Sequence, residues 1–399
     1  MKKTLLHLFQ NKFTDHDYNN REYGELEKKF KTKVIVHDLS KIFHSDLSHV
    51  KVKRFKKTIK FDSLYKWIKT LDKLKKKKNV TVINELGYDS FKSLIIFYFL
   101  KKSNIPMIID RNIGVVDEAE FFTENLNLEK IWIKIKKVFR NYTLLTYFLK
   151  KKFLNVLYLF IKYKKITVLW AGRYNRIVMN LPFKTKQIKI VKVHSRDYSQ
   201  FLYRKKINNT KKKPIIFLDA PLPYFKSDED LIFNDNQDID IAKWYREHNI
   251  FFDKLENFFS TKVVIVPHPK VKGFQNPYFK KRLIDNRLDA ALQLTSQSLF
   301  VITGVFVSTA ISFAIAETKP ILFIRSDQMK SHYAKQIIYE KEAAKLIGTN
   351  VIDINNFKKK DILKIMKVNK KCYNNYKYRF LTSKQLIKKP NHMILGNLI

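Results

Sequence analysis

The chain has 399 residues, 45% hydrophobic and 14% aromatic, and its 79 Lys+Arg against 36 Asp+Glu leave a formal charge of +43. This length and apolar content suit two domains of ordinary size, each with its own core. The single cysteine, Cys372, excludes an internal disulfide and fits a reducing compartment. No zinc-ligand spacing occurs, and with 8 Gly there is neither a GxGxxG nor a GxxxxGK[ST] phosphate loop.

So positive a chain attracts polyanions, of which nucleic acid and an anionic membrane surface are the two candidates. Lys outnumbers Arg, and Ile, Asn, Phe and Tyr are abundant too, so part of the excess is compositional bias. Arginine-rich and aromatic-stacking RNA motifs are absent; no specific nucleic acid is expected, and an anionic membrane surface or glycolipid is favoured. The apolar run within Met1–Phe9 is interrupted and lacks a small-residue cleavage site, so no secretory signal is expected. No run reaches the ~18 apolar residues of a membrane span. The expected location is cytoplasmic, peripheral on the inner face of the membrane.

Residues 1–40 read as strand, helix, strand, with helical character over Glu22–Phe30 and a strand over Val34–Asp38. Residues 41–79 are charged, and Lys75–Lys78 read as a solvated helix end. Val80–Ile83 is a strand ending at Asn84 and Glu85, Phe91–Leu100 an apolar helix ended by Lys101 and Lys102, and Pro106–Ile109 a strand ending at Asp110. This alternation predicts a first Rossmann-like sheet. Leu144–Lys165 mixes leucine and aromatic residues with lysine clusters, as a helix packed on the sheet or an interfacial helix on anionic lipid would; most such stripes face a core. Ile166–Trp170 and Ile188–Val193 return to strand character. The polar run 203–213 is the predicted linker.

Ile215–Leu218 opens a second sheet with Asp219 at its carboxyl end, and an acidic surface loop follows over 226–240. Ile241–Phe259 is a helix whose Trp244, Phe251, Phe252, Leu255 and Phe259 form a broad apolar side. The stretch Val263–Ile324 then runs strand, helix, strand, helix, strand, the order of a parallel sheet. His332–Ile347 is a helix ending before Gly348, a fitting residue to follow a helix C-terminus, and Val351–Ile354 is a last strand. The domains are expected at 1–205 and 213–375, with a basic, tyrosine-rich tail, 376–399.

In parallel sheets, ligands bind at the carboxyl ends of strands. Val263–Val266 is a run of β-branched residues, stopped by Pro267 and Pro269, which lack the N–H of a ladder. His268 is thereby held on a stiff turn, where it can donate a hydrogen bond to a phosphate oxygen. Ser308 and Thr309 stand where the N-cap of the run STAISFAIAETKP would be, and a helix N-terminus is a natural anion site. A solvated turn histidine and an ordinary cap are the plain alternatives. The two motifs in order, at strand ends, point to a nucleotide–phosphate site.

The His268-Pro269 pair with a downstream Ser308-Thr309 pair resembles bacterial polysaccharide glycosyltransferases of GT-B fold, most closely the sialyl- and Kdo-transferases of capsule and lipopolysaccharide synthesis. The runs HSRDYSQFL at 194–202, IIFLDAPLPY at 215–224, WYREHNIFFDKLENFF at 244–259 and KPILFI at 319–324 are similar to an uncharacterised branch of such enzymes. The resemblance is good over roughly 160–325 and faint before that. It implies an α/β, GT-B-like architecture of two Rossmann-like domains facing a cleft, with donor phosphate and nucleotide held by His268, Pro269, Ser308 and Thr309. Gly304 opens an apolar loop, 304–307, where relatives often carry a polar residue; Gly304 and Asp219 are added as donor contacts. In such two-domain proteins a terminal helix often crosses back onto the first domain.

Inverting sugar transfer needs a base to deprotonate the acceptor hydroxyl. The resemblance places it in the first domain, where Glu85 and Asp110 are the strand-end acids. Glu85 is preferred, because Arg111 follows Asp110 and can pair with it; a helix cap or surface charge is the plain alternative for each. His194 and Asp197 lie near the hinge and can cap a helix. The expected activity is transfer of a sugar from a nucleotide-sugar, a CMP-activated acidic sugar, to a surface glycan or glycolipid acceptor, with no metal and no separate cofactor required. The alternatives are a teichoic-acid-type glycerophosphotransferase using a CDP-linked donor, and a non-enzymatic basic protein binding nucleic acid or membrane.

Overall fold

The computed structural model describes residues 3–44, 55–76, 79–112, 114, 142–174, 181–204, 213–220, 239–268, 279–304, 308–332, 334–386 and 388–399. The chain forms two units, the first made of Met1–Asn112, Val116–His194 and Lys389–Ile399, the second of Ile113–Val115 and Ser195–Lys388. Residues 205–212 of the predicted 203–213 linker lie outside the described residues. So do Lys77, Lys78, Pro269 and most of the acidic loop 226–240.

In the first unit the strands are β1 (Thr4–Phe9), β2 (Lys33–Asp38), β3 (Thr58–Lys60), β4 (Val80–Asn84), β5 (Met107–Arg111), β6 (Lys162–Ala171) and β7 (Lys184–Val193). They form one parallel sheet in the order β3-β2-β1-β4-β5-β6-β7. The chain leaves β1 toward one edge, returns, and continues from β4 toward the other, so the order reverses between β1 and β4. Strands β6 and β7 begin earlier than the apolar periodicity announces, because Lys162, Lys164 and Lys165 and the lysines of β7 obscure it. On β7, the edge strand of this sheet among the described residues, such charge discourages pairing with another chain.

Both faces of this sheet are buried. One packs Leu6, Leu8, Val82 and Val168 against Trp67 and Leu71 of the helix Leu64–Lys75, and Ile96, Phe97 and Leu100 of the helix Phe91–Ser103. The other packs Leu5, Val36, Ile83, Ile108 and Leu169 against Phe13, Tyr23, Leu26 and, from the end of the chain, Leu395. The predicted helix at 22–30 is Tyr23–Phe30, and a further short helix, Asp15–Asn20, precedes it; the chain turns between them at Glu22, whose φ is 56°. Glu22 is buried and its Oε2 accepts from the His392 backbone N–H at 3.0 Å and lies 2.7 Å from His392 Nδ1. The C-terminal helix, Asn391–Leu398, is also held by Asn391, which accepts from the His194 N–H and donates to the His194 carbonyl.

The second unit holds β8 (Ile215–Asp219), β9 (Val263–Pro267), β10 (Val301–Thr303), β11 (Ile321–Arg325) and β12 (Val351–Asp353), parallel and in the order β12-β11-β10-β8-β9. This is the doubly wound 2-1-3-4-5 order, reversing between β8 and β10. One face is covered by Trp244, Phe251, Phe252 and Leu255 of the helix Ile241–Phe259. The helices Ala290–Gln297 and Ile311–Ala316 contact β8 and β10. The predicted helix at 332–347 is Ala334–Ile347, preceded by a short helix, Asp327–His332, and Gly348 follows at φ 76°. The molecule is therefore an α/β protein of two doubly wound, Rossmann-like units.

Gly396 marks how closely the C-terminal helix approaches the first unit, since a Cβ there would lie 2.3 Å from the Phe30 ring. Gly396→Ala is expected to destabilise the protein by about 1–3 kcal/mol through overpacking, measured by chemical denaturation. Phe30→Leu in the same chain should recover part of the loss; an unchanged midpoint for Gly396→Ala would refute the contact.

Candidate functional site

The second unit's strand order reverses between β8 and β10, so its ligand crevice is expected at their carboxyl ends. Asp219 ends β8, directly paired with Pro267 on β9, and Leu218 pairs with Thr303 on β10. Hence Asp219, Pro267 and Gly304 are level across three adjacent strands, with His268 one residue beyond. His268 and Ser308 are half-buried. The sequence placed the His-Pro and Ser-Thr motifs on adjoining strands. In the sheet β8 lies between β9 and β10, which puts those strands ~10 Å apart and Asp219 in the middle.

Asp219 is the most perturbed group at this edge. It is buried, and among the described residues nothing hydrogen-bonds its carboxyl; desolvation pushes its pKa up to about 7. A buried carboxyl left without a partner at a strand end is a functional candidate with a physical cause. On the neighbouring β10, Thr303 is paired with Leu218, and its hydroxyl and that of Ser312 are buried without a hydrogen-bond partner among the described residues. Nothing in the sequence marks these two, since a hydroxyl at a strand end or in a first helical turn is ordinary.

The Ser308-Thr309 pair does not cap a helix. The helix is only Ile311–Ala316 and Ala310 occupies the cap position. Ser308 Oγ accepts from the Ala310 N–H at 3.3 Å, while the Ser308 and Thr309 carbonyls accept from the Ile311 and Ser312 N–H groups at 3.1 and 3.0 Å. The pair thus forms a tight turn that consumes part of the first helical turn's donors, so the helix-terminus anion site expected there is not formed. The Thr309 hydroxyl bonds the buried Asp197 carboxylate. Burial raises the Asp197 pKa, opposed by that bond and by Arg196. Asp197 therefore ties the helix Arg196–Tyr203 to the 308–310 turn, and Ser195 is the residue that caps it.

In the first unit the order reverses between β1 and β4. Ile83 pairs with Ile108, so Glu85 and Asp110, each two residues further, are level with one another at the carboxyl edge. Glu85 is held by Arg21, whose Nε and Nη2 donate to its two oxygens at 2.8 and 2.6 Å, and His7 Nε2 lies 3.3 Å from Oε1. Arg21 also donates to Asp17 and lies over the Phe9 and Phe13 rings. Burial works against the Arg21 charge, but Glu85 and Asp17 outweigh it and hold the guanidinium more firmly protonated than usual. Sequence reading missed Arg21 and His7, because nothing local links positions 7, 21 and 85.

Asp110 lines a small cleft with Arg21, Tyr23, Asn112 and Asn391, floored by Ile83 and Leu169. Its Oδ1 accepts from the Asn112 N–H at 3.2 Å. Arg111, expected to pair with Asp110, hydrogen-bonds Tyr88, as neighbouring side chains on a strand point to opposite faces.

No protein-family model and no curated protein matches the chain. Among solved structures it is similar to the glycotransferase of kitacinnamycin (9% identity, 100% of this chain and 98% of that chain, TM-score 0.49). It is also similar to MurG of Acinetobacter baumannii (8% identity, 100% and 99%, TM-score 0.45) and a variant of the wall teichoic acid polymerase TagF (12% identity, 100% and 88%, TM-score 0.47).

The Asp219 carboxyl makes stability pH-dependent with a defined sign. Its folded pKa, about 7, lies above the ordinary carboxyl value. As pH rises from about 4 toward 7 the unfolded chain ionises first, so stability falls, and the loss is complete above the folded pKa. Asp219→Asn is expected to remove this slope and raise stability near pH 8 by on the order of 2–4 kcal/mol, read from denaturant midpoints across that range. Glu340, which burial also raises to about 7 against its Arg325 partner, cancels in the comparison. A difference between wild type and Asp219→Asn that does not vary with pH would rule the assignment out.

Proposed function

We propose that the protein is a glycosyltransferase of GT-B type that moves a sugar from a nucleotide-sugar donor, a CMP-activated acidic sugar, to a surface-glycan or lipid-linked acceptor. The single observation that carries the reading is the convergence of Asp219, the Pro267-His268 turn and Gly304 at the switch point of the second sheet. Crevices at such points take nucleotides, and the His-Pro and Ser-Thr motifs support a sugar-nucleotide. His268 donates to a donor phosphate oxygen. Asp219, protonated for part of the time near neutral pH, sits beside phosphate with less repulsion than an ordinary carboxylate. Ser308 orients the donor through its half-buried hydroxyl, while Thr309 acts through its bond to Asp197.

In this reading the general base is Asp110, not Glu85. A carboxylate clamped by a buried guanidinium is stabilised in its ionised form and is a weak proton acceptor. Glu85 then holds Arg21 in place at the cleft where Asp110 stands. The acceptor hydroxyl oxygen attacks the anomeric carbon and its proton passes to Asp110. The anomeric carbon–oxygen bond to phosphate breaks, and the nucleotide leaves with the electron pair. Attack opposite the leaving group inverts the anomeric centre.

Thermal shift of the full chain across CMP-, CDP-, UDP- and GDP-linked donors tests the donor class, since a ligand at 100 times its Kd stabilises by about 2.7 kcal/mol. A CMP-sugar shift that His268→Ala abolishes is expected; a shift with CDP-glycerol alone would favour a glycerophosphotransferase, and none with any donor would refute the reading. For the base, Asp110→Asn should keep the donor shift and lose transfer by roughly 100-fold or more. Glu85→Gln should instead lower stability, by up to about 3 kcal/mol, because it takes from the buried Arg21 one of its two counter-charges and leaves only Asp17. If Glu85→Gln is as stable as wild type and inactive while Asp110→Asn is active, the two roles are exchanged.

A further inference from the structure

The helices Phe91–Ser103 and Tyr142–Tyr158 pack against one another in the first unit, and both are apolar on two sides. Inward, Ile96, Phe97 and Leu100 of the first and Leu154 and Tyr158 of the second are buried. Outward, the first helix exposes Phe91, Ile95 and Tyr98, and the second exposes Leu149, Phe153 and Val156. Both outward sets have the spacing i, i+4, i+7, which lines up on one helical face. Phe160, just past the second helix, continues its stripe and is 76% exposed; Phe153 and Leu149 are 55% and 56% exposed. The Phe91 and Phe153 rings lie 6.2 Å apart and join the two stripes into one patch.

A helix apolar all round is normally buried all round, so these outward stripes need an explanation, and apolar surface gathered into one patch marks a contact site. The charge around the patch says which kind. Neither helix contains an acidic residue, and neither does the segment from 159 to 165. Exposed lysines flank the stripes at Lys101, Lys102, Lys150, Lys151, Lys162 and Lys164. Aromatic and leucine side chains rimmed by lysine on a helical face are what the headgroup region of an anionic bilayer accepts: the rings enter the acyl boundary and the ammonium groups meet phosphate. A protein partner would have to bring a matching acidic rim, whereas an anionic bilayer presents one everywhere.

We propose that the paired outward stripes of these two helices, with their lysine rim, form a docking surface for an anionic lipid bilayer. The helices then serve two solvents at once: Leu154 and Tyr158 hold the sheet, and Leu149, Phe153 and Phe160 face lipid. No helix among the described residues is long and apolar enough to cross a membrane, and this contact lies in the membrane plane. The proposal does not depend on the glycosyl-transfer reading, but it would bring a lipid-linked acceptor to the enzyme.

The test is cosedimentation of the full chain with phosphatidylcholine vesicles, with and without phosphatidylglycerol. Wild type should bind the anionic vesicles, more weakly at high salt, and bind the neutral ones far less. Leu149→Asp with Phe153→Asp should abolish binding without lowering the thermal midpoint, because both side chains are already exposed. Lys150→Glu with Lys151→Glu should weaken it by about fivefold or more for each charge lost near the surface. Leu363→Asp, an exposed leucine in the second unit, should leave it unchanged. Donor-induced thermal shift, followed in every variant, separates failure here from failure of the proposed activity. Wild-type binding to both vesicle types alike, retention of binding by Leu149→Asp with Phe153→Asp, or a patch variant that only breaks a dimer seen by light scattering would each overturn the proposal.

Discussion

A parallel sheet has to be covered on both faces, because its strands are joined by crossovers and carry apolar side chains above and below. In the first unit one face is closed by the helices after β3, β4 and β5. The other is closed by the short helices after β1 and by the last helix of the chain. That face is therefore complete only when Leu395 and the Glu22–His392 contact are in place, although these partners stand 370 residues apart. Gly396 gives the approach its closeness, and Glu22 takes a left-handed backbone so that its carboxylate can turn inward.

The same requirement places the chemistry. Each sheet reverses its strand order once, and only there do two crossovers leave in opposite directions and open a crevice. In the first unit the reversal gathers His7, Arg21, Glu85 and Asp110; in the second it gathers Asp219, His268 and Gly304. The two places are physically unlike. In the first, Glu85 and Asp17 neutralise Arg21 at the centre of a charge network, and Asp110 stands beside it in the same cleft. The second contains a carboxyl that burial alone perturbs, with no cation among the described residues to relieve it. A carboxylate of the first kind is held charged by its cation, whereas burial of one of the second kind disfavours its charged form.

The helix Tyr142–Tyr158 of the first unit carries both buried and exposed apolar side chains. Leu144–Lys165 was open between a packed helix and an interfacial one. The structure places Leu154 and Tyr158 in the core and leaves Leu149, Phe153 and Val156 exposed. A stripe on each side cancels the periodic signal that would have distinguished the two from sequence.

Strand and helix order, the parallel character of both sheets, and the acids and histidine at the strand ends were legible in the sequence, because β-branched runs, prolines and helical periodicity are local signals. The helix Ile241–Phe259 keeps the bounds read from its apolar side, and Val80, Val263 and Ile321 open strands as their runs indicate. What local signals cannot carry is who meets whom. That β8 lies between β9 and β10 and separates the His-Pro motif from the Ser-Thr motif is a matter of strand order, as is the levelling of Glu85 with Asp110. That Arg21 claims Glu85, that Arg111 turns to Tyr88, and that Ser308 and Thr309 form a turn before the helix follow from contacts across the fold or from backbone geometry that many sequences share. The residues determined which elements form and which groups stand at their tips; the packing of those elements decided which acids are neutralised by a cation and which are perturbed by burial alone, because a pKa is set by burial and by neighbours that lie far away in the chain.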